Sequence, residues 1–346
     1  MSYTFTSKNY SMPFLSYKPD IKFERPMAGM VIANTMLSTI PGVSAAGFNP
    51  EATLITPALD AGLILNGMPK DIAIPLSPTG CATPATVTRA MFELCRINPI
   101  IINAGLKTPP AVPCIDAYGS PGKDPREGPA VPEARELYEK GITIGRQLSD
   151  YSDLLVLGES VPGGTTTALC VLRALGYDVG VSSSYSSNPS SIKEEICSEA
   201  ARRIVGDGIK DPLDIVSYCG DPMMPVVAGI AKGYDKNLVL SGGTQMLAVE
   251  ALIKALGNEM PPFVTTEYVR VDSSANIEKA SDLVGATAWF VDPDFGNIGN
   301  AALARYCNGE VKEGALISGS LWLAYMMGYS KDEIWKAINS FFEKYG

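Results

Sequence analysis

Short apolar runs, bounded by Gly, Pro, Asp or Asn, alternate with longer segments of helical periodicity from about residue 70 onward. This alternation is typical of βαβ units, in which helices connect parallel strands and cover the sheet. The short runs predict strands over residues 71–77, 99–105, 153–159, 179–183, 214–220, 237–243, 263–269 and 287–291. The longer segments predict helices over residues 84–98, 132–149, 166–175, 191–205, 222–232 and 244–256.

The two ends of the chain have a different pattern. Residues 300–345 have the periodicity of consecutive helices, and we expect them to pack with residues 27–66. The predicted fold is therefore α/β, with a three-layer, Rossmann-like, mostly parallel sheet in a large domain (67–299) and a smaller helical domain (1–66 and 300–346). Two pairs, Ser191 with Glu194 and Ser330 with Glu333, have the spacing of capping boxes at helix starts.

The most informative segment joins a predicted strand to a predicted helix, and it reads Gly158-Glu159-Ser160-Val161-Pro162-Gly163-Gly164-Thr165-Thr166-Thr167. Free backbone N–H groups at such a helix start attract anions. Gly163 and Gly164 allow a close backbone approach, and Glu159 places a carboxylate at the end of the strand. A phosphate site and a plain turn with an N-capping Thr both fit this segment. It is not a Walker loop, because no Lys follows the glycines.

Small polar motifs follow predicted strands at six places, namely residues 77–80, 103–105, 158–167, 182–184, 219–221 and 241–244. Each one alone is more often a turn, but six at one predicted sheet edge favour a ligand pocket and make 67–299 the expected nucleotide-binding part. Residues 109–132 are dense in Pro and Gly, which predicts either a long functional loop or lid, or a structural excursion.

Composition narrows the range of partners. The net charge is −9 without a basic stripe, which argues against nucleic acid or an anionic membrane as partner. No apolar run has membrane-spanning length and the start lacks a signal-peptide pattern, so we expect a cytoplasmic protein. The seven cysteines are dispersed, which favours reduced thiols. Histidine is absent, so any proton transfer must use a carboxylate, Lys, Tyr or Cys.

An acidic chain that binds an anion needs local cations, and Arg126, Lys123 and Lys107 are candidate clamps, although surface roles fit them equally well. Asp116 and Asp221 follow predicted strands. They can contact ribose hydroxyls, or they can form Asx turns.

Several motifs occur in an order and spacing that resemble one enzyme family. They are Pro84-Ala-Thr-Val-Thr-Arg89, Asp116-Ala-Tyr-Gly119 with Asp124-Pro-Arg-Glu-Gly-Pro-Ala130, the loop from Gly158 to Thr166, the segment from Cys219 to Gly229, Ser241-Gly-Gly-Thr-Gln-Met-Leu-Ala248, and Lys312-Glu313-Gly314. Together they resemble the nicotinate-nucleotide:dimethylbenzimidazole phosphoribosyltransferase family, in its divergent archaeal and cyanobacterial branch. The resemblance extends from about residue 30 to residue 340.

The resemblance implies transfer of the phosphoribosyl group of nicotinate mononucleotide to a benzimidazole-type base, in cobamide lower-ligand assembly, by a homodimer without metal or other cofactor. It implies that Glu313 is the general base and that Glu159 acts near the sugar. The implied phosphate and ribose residues are Gly158, Gly163, Gly164, Thr165, Thr166, Gly220, Asp221, Ser241, Gly242, Gly243 and Thr244. The implied base pocket consists of Thr79, Gly80, Pro84 and Thr88.

The chain departs from the family pattern mainly on the base side. Leu316 replaces a family Gly, Ala85 stands where a Gln lines the base pocket, and residues 290–296 lack the family's His. The residues implied to bind phosphate therefore match the family pattern better than those implied to bind the acceptor base. A nucleosidase, in which Glu159 or Glu313 activates water, and a non-catalytic nucleotide-binding protein are the alternatives.

Overall fold

The structure is a computed structural model that describes residues 13–68 and 74–345. Within these residues one sheet contains seven parallel strands: β1 (Pro26–Ala33), β2 (Ile100–Gly105), β3 (Ile115–Asp116), β4 (Leu154–Ser160), β5 (Asn237–Ser241), β6 (Phe263–Thr266) and β7 (Ala288–Val291). The order across the sheet is β3-β2-β1-β4-β5-β6-β7. From the neighbouring strands β1 and β4, the chain adds β2 and β3 on one side and β5 to β7 on the other. The switch point therefore lies between β1 and β4, and open α/β sheets bind ligands at such a point.

The helices are α1 (Pro50–Asn66), α2 (Pro84–Cys95), α3 (Ala134–Ser149), α4 (Gly164–Ala174), α5 (Ser190–Gly206), α6 (Pro212–Cys219), α7 (Met223–Gly233), α8 (Thr244–Ala255), α9 (Glu267–Arg270), α10 (Ile277–Val284), α11 (Ala301–Ala304), α12 (Ile317–Met326) and α13 (Lys331–Tyr345). Short 3₁₀ helices span Met36–Thr39 and Arg305–Asn308. None of the helices in the described ranges has the length and apolar character that a membrane crossing requires.

Two layers of helices bury both faces of the sheet. Helices α3 to α8 and α10 share one apolar core with residues such as Val31 and Leu155. Helices α1, α2, α12 and α13 share the other core with residues such as Met30 and Val156. Alternate residues of each strand thus pack into opposite cores, which is why these strands are almost continuously apolar. The three-layer α/β architecture predicted from the sequence is confirmed.

The sequence pattern misplaced the central strand. Pro26–Ala33, expected at the start of the helical unit, forms β1 and pairs with β2 on one side and β4 on the other. Its Met and Ala residues have good helix propensity, but burial between two parallel neighbours decides the structure. The helices of the N- and C-terminal segments pack directly on one face of the sheet. The division into two domains stays a prediction.

Three other predicted strands are wrong or lie partly outside the structure. Residues 214–220 fall largely in α6, because Asp211 accepts from the N–H groups at the helix start and Pro212 occupies its first position. Residues 179–183 form no strand in the described part of the chain, and the Ser182 N–H donates to the Thr244 hydroxyl instead. Of residues 71–77, the first three lie outside the described residues, while Leu76 forms an isolated bridge with Ala82.

The remaining five predicted strands and all six predicted helices are confirmed apart from their ends. The capping box at α13 is also confirmed, since the Glu333 N–H donates to Ser330 Oγ (3.3 Å) and the Ser330 N–H donates to the Glu333 carboxylate (2.8 Å). The capping box at Ser191 is wrong, because Glu194 pairs with Arg173 and α5 starts without a side-chain cap.

Candidate active site

A cavity of about 840 Å³ opens at the carboxyl ends of β1, β4 and β5. Its lining residues lie in segments 38–63, 75–84, 159–165, 182–186, 243–245 and 310–315. Four acidic side chains, Asp60, Glu159, Glu310 and Glu313, belong to this lining. A cavity of this size at this edge of a parallel sheet is the expected ligand site of such a fold.

Glu159 lies at the end of β4 and is buried. Its carboxylate accepts a hydrogen bond from the Val161 N–H at 2.9 Å, which holds the side chain at the start of the glycine loop. Its own backbone carbonyl accepts from the Ala315 N–H at 2.9 Å. The loop that carries Glu313 is therefore fixed to the strand that carries Glu159.

Glu313 faces the cavity from this second loop. Its Oε2 accepts from the Thr266 N–H (3.0 Å) and the Thr265 hydroxyl (3.3 Å), and its Oε1 accepts from the Gly314 N–H (3.2 Å). These donors, two of them at the end of β6, hold the carboxylate in one orientation. They also leave it at the cavity wall, within reach of a bound ligand.

The Glu313 loop has an unusual backbone. Val311, Lys312, Ala315 and Leu316 all have positive φ, between 48° and 69°, and Gly314 has a φ of 117°. Non-glycine residues rarely adopt this conformation, and such strain concentrates at functional sites. Leu316, one of the residues that depart from the family pattern, packs against Gly158, where a Cβ atom would lie 2.4 Å from Leu316 Cδ1.

The two glutamates have strongly raised pKa values. Burial, followed by the negative charge of Glu313 and then that of Asp221, raises the pKa of Glu159 to about 8. Enclosure by protein raises the pKa of Glu313 to about 7, although its backbone hydrogen bonds oppose the shift. Near neutral pH the pair therefore keeps a bound proton and still offers a carboxylate that can accept another.

Asp60 is a third carboxyl group in the cavity wall, and sequence reasoning missed it. It lies on α1 and is buried, and it accepts from Ser160 Oγ (2.9 Å) and Thr83 Oγ1 (3.1 Å). Burial raises its pKa to about 6. No local motif marks this residue, because its partners lie far away in the sequence on β4 and at the start of α2.

The glycine loop turns tightly into α4. Gly163 has a φ of 82° at the helix start, and a Cβ atom on Gly164 would lie 1.8 Å from Gln245 Oε1. Gln245 itself lines the cavity, and its Oε1 is buried without a hydrogen-bond partner among the described residues. The first turn of α4 and the amide of Gln245 thus present polar groups to a ligand.

Two buried lysines lie directly behind this part of the wall. The Lys193 ammonium donates to Thr165 Oγ1 (3.1 Å) and the Ser182 carbonyl (2.8 Å), and the Lys312 ammonium donates to the Tyr185 carbonyl (2.9 Å). Within the described ranges no carboxylate lies within 4.0 Å of the Lys193 ammonium, whereas Lys312 has Asp272 at 3.5 Å.

Burial, followed by the nearby positive charge of Lys312, lowers the pKa of Lys193 to about 8. A buried cation without a carboxylate partner is stabilised by a bound anion, so this corner suits a phosphate. Sequence reasoning missed Lys193, because it stands in no glycine-rich or basic motif, and it quoted Lys312 only as part of the Lys312-Glu313-Gly314 motif.

The structure brings nine of the predicted site residues together in the cavity wall. They are Glu159, Gly163, Gly164, Thr165, Gly243, Thr244, Glu313, Thr79 and Pro84. The other predicted residues lie behind the wall or in adjoining turns. They are Gly158, Thr166, Gly220, Asp221, Ser241, Gly242, Gly80 and Thr88.

Several residues behind the wall support its loops. Asp221 is buried and accepts from Thr167 Oγ1 (2.6 Å), which braces the first turn of α4 against the start of α7. Ser241 Oγ accepts from the Gly319 N–H (2.8 Å), and Thr88 donates to the Ala315 carbonyl (2.7 Å). These contacts position the glycine loop and the Glu313 loop.

The three cations proposed as clamps lie elsewhere. Arg126 pairs with Asp124 (2.7 Å) and Glu195 (3.0 Å), and Lys107 and Lys123 are exposed. Within the described residues, no part of 109–132 lines the cavity, so this segment is not a lid in this structure. The Asp116 carboxylate accepts a hydrogen bond from the Tyr118 N–H at 2.7 Å. Asp116 therefore forms an Asx turn, the second of the two roles that the sequence allowed.

Part of the cavity wall is apolar. Ile40, Val43 and Leu63 line it, and Phe48, Leu59 and Leu76 stand at its exposed rim. Such a surface suits an aromatic ring rather than a charged group.

The fold is an α/β fold of the CobT type. A crystal structure of CobT from Thermus thermophilus superposes with a TM-score of 0.58 at 16% sequence identity, covering 88% of this chain and 84% of that one. A structure of nicotinate-nucleotide-dimethylbenzimidazole phosphoribosyltransferase from the same organism has a TM-score of 0.55, also at 16% identity and with the same coverage. At this identity the likeness establishes the fold.

The chain belongs to the UPF0284 family. It is 42% identical to UPF0284 protein TK0853 of Thermococcus kodakarensis over 88% of this chain and 93% of the relative. It is 40% identical to the UPF0284 protein of Methanosarcina mazei over 93% of this chain and 94% of the relative. No family model matches the sequence. The CobT neighbours and archaeal relatives confirm the resemblance to an archaeal branch.

Proposed function

We propose that this protein transfers the phosphoribosyl group of nicotinate mononucleotide to a benzimidazole-type base and releases nicotinate. One observation carries the proposal: a single cavity joins the buried Glu159 and the half-buried Glu313 to an anion corner at Gly164 and Thr165, backed by Lys193. The names of the CobT neighbours support this reaction class, and the apolar wall suits an aromatic acceptor.

The donor's phosphate would bind at the first turn of α4. Backbone N–H groups at a helix start carry partial positive charge, and Lys193 adds a full charge behind Thr165. Gln245 and Thr244 lie beside this turn and can bind phosphate or ribose hydroxyl oxygens. The ribose C1′ atom would then lie between this corner and the two glutamates.

The chemistry needs one proton acceptor. In nicotinate mononucleotide the ring nitrogen bonded to C1′ is already cationic, so nicotinate departs with the bonding electron pair and requires no acid. The unprotonated nitrogen of the acceptor attacks C1′, and the new cationic ring loses the proton on its other nitrogen. Glu313, whose pKa is about 7, accepts that proton.

Glu159 has a different task in this scheme. Its carboxyl group lies beside the glycine loop, where it would face the sugar. A cationic pyridinium and an oxocarbenium-like transition state both favour its ionised form, so substrate binding would lower the raised pKa of Glu159. The ionised carboxylate would then stabilise positive charge as it develops at C1′.

The test is a product assay with a panel of acceptors. Purified protein is incubated with nicotinate mononucleotide and with benzimidazoles, purines or phenols, and the phosphoribosylated base is sought by mass spectrometry. A product with one class of base supports the proposal, and its mass names the acceptor. Ribose 5-phosphate as the product would indicate the nucleosidase alternative. Nucleotide binding without any turnover would indicate a binding protein.

The biological setting remains a prediction. Cobamide lower-ligand assembly, a homodimeric state and a cytoplasmic location follow from the sequence resemblance and composition. Equilibrium sedimentation of the purified protein tests the dimer, and the identity of the accepted base tests the pathway.

A further inference from the structure

Two cysteines far apart in the sequence meet between the helices behind the anion corner. Cys170 on α4 and Cys197 on α5 are both buried, and their Sγ atoms lie 2.6 Å apart. Atoms that are not bonded to each other pack at roughly 3.5 to 4 Å, whereas a disulfide bond is about 2.05 Å long. Both cysteines are free thiols in this structure, and their dispersed sequence positions favour the reduced state. Because of this short distance, we propose instead that Cys170 and Cys197 form a disulfide that ties α4 to α5.

The neighbourhood singles out this pair. Cys219 on α6 is the other thiol of this region, but its sulfur is directed at the Ile215 carbonyl of its own helix, at 3.4 Å. The Cys197 sulfur lies 3.9 Å from the Thr166 carbonyl on α4, so it already faces the helix that carries Cys170. A small side-chain movement brings the two sulfurs of the pair to bonding distance.

The bond joins the same two helices as the lysine contact of the anion corner. Thr165 lies in the first turn of α4, five residues before Cys170, and Lys193 lies four residues before Cys197 on α5. The second spacing places Lys193 and Cys197 on one face of α5, about one turn apart. The disulfide would therefore hold the face of α5 that carries Lys193 against α4, and it does not depend on which reaction the cavity supports.

The reaction is an ordinary thiol–disulfide exchange. A small disulfide such as oxidised glutathione is attacked by one cysteine thiolate and releases one glutathione thiol. The second cysteine then attacks the mixed disulfide and releases the other thiol. The two cysteines together lose two protons and two electrons, and the glutathione disulfide gains them. Because both thiols are buried, closure takes place during folding or local opening of α5.

The test maps the disulfide directly in the full-length protein. The chain is refolded in glutathione buffers from fully reducing to fully oxidising, then alkylated with N-ethylmaleimide in denaturant and digested with trypsin without reduction. Each cysteine falls in its own tryptic peptide, 147–173 for Cys170, 194–202 for Cys197 and 211–232 for Cys219. We expect the first two peptides to appear linked, two hydrogens lighter than their sum. Separate alkylated peptides at every glutathione ratio, or a link to 211–232, would overturn the proposal.

A melting experiment provides an independent readout. The disulfide would close a loop of 27 residues, which stabilises the folded protein by restricting the unfolded chain. For a chain of this size we expect the oxidised protein to melt about 4 °C above the reduced protein. Cys170→Ala should abolish this difference, and Cys219→Ala should retain it. An equal difference in the wild type and Cys170→Ala would contradict the proposed bond.

Discussion

The Ala315 N–H donates to the Glu159 carbonyl at 2.9 Å, so the strained loop with Glu313 is fastened to the end of the strand with Glu159. The two carboxyl groups therefore keep one mutual arrangement without touching through their side chains. This backbone contact, rather than a side-chain pair, assembles the candidate catalytic centre.

Replacing the predicted base removes the proton acceptor while keeping its shape. Glu313→Gln should lower kcat by roughly 10²- to 10⁴-fold, because general-base catalysis contributes about that much. Nucleotide affinity, measured by calorimetry, should change little. Glu278→Gln, at an exposed glutamate on α10, is the matched control and should retain full activity. Wild-type turnover in Glu313→Gln would show that the base is misassigned.

The raised pKa of Glu313 predicts a pH dependence of the reaction. Only the ionised carboxylate accepts a proton, and the pKa is about 7. Glu313 should therefore contribute a rise in kcat/KM with its midpoint near pH 7, and the ionisation of Glu159 should add a further rise near pH 8. A rate that is flat from about pH 5 to about pH 8 would exclude Glu313 as the base.

The raised pKa of Glu159 predicts the opposite trend for stability. The folded protein holds a proton on Glu159 up to about pH 8, whereas a glutamate in the unfolded chain loses it near its ordinary pKa of 4.5. Between pH 4.5 and about 8 the folded state binds more protons than the unfolded state. The contribution of Glu159 to the free energy of unfolding is therefore complete below pH 4.5 and falls as the pH rises to about 8. Glu159→Gln, which stays neutral, should raise the melting temperature at about pH 8.5 more than at about pH 5.

The buried lysine of the anion corner should matter for binding. Lys193→Met removes the positive charge that lies behind Thr165 and should raise the nucleotide Kd roughly 10- to 100-fold, as measured by calorimetry at constant ionic strength. The exposed Lys123 supplies the control, because Lys123→Met should leave affinity unchanged. Equal effects of the two substitutions would contradict a localised anion site at Lys193.

Gly164 tests the geometry of the glycine loop. A Cβ atom there would lie 1.8 Å from Gln245 Oε1, so Gly164→Ala must displace the glutamine from the cavity wall. We expect weaker nucleotide binding, with partial recovery in the double variant Gly164→Ala/Gln245→Ala. Gly206→Ala at the end of α5 is the control, since a Cβ atom at this position meets no neighbour within 4 Å. If Gly164→Ala bound the nucleotide with unchanged affinity, Gln245 would not be part of the binding site.

The sequence predicted those parts of the molecule whose signals are local. The strand, glycine turn and helix around Glu159 could be recognised because all their determinants lie in one segment. Strand β1 could not, because its burial depends on β2 and β4, which lie more than 60 residues downstream. Local propensity carries no information about such neighbours.

The same distinction holds in the candidate site. Glu313 and the glycine loop stand in recognisable motifs, whereas Asp60 and Lys193 occupy helices without any. Asp60 accepts hydrogen bonds from Ser160 and Thr83, and Lys193 donates hydrogen bonds to Thr165 and Ser182. Only folding brings these groups together.

The central claim is that the acceptor base, and not water, receives the phosphoribosyl group. The most direct measurement is the rate of nicotinate release from nicotinate mononucleotide, by mass spectrometry, with and without a benzimidazole. We predict that release depends on the added base and yields one phosphoribosylated base for each nicotinate. Release at the same rate without any base would contradict the account and identify a hydrolase.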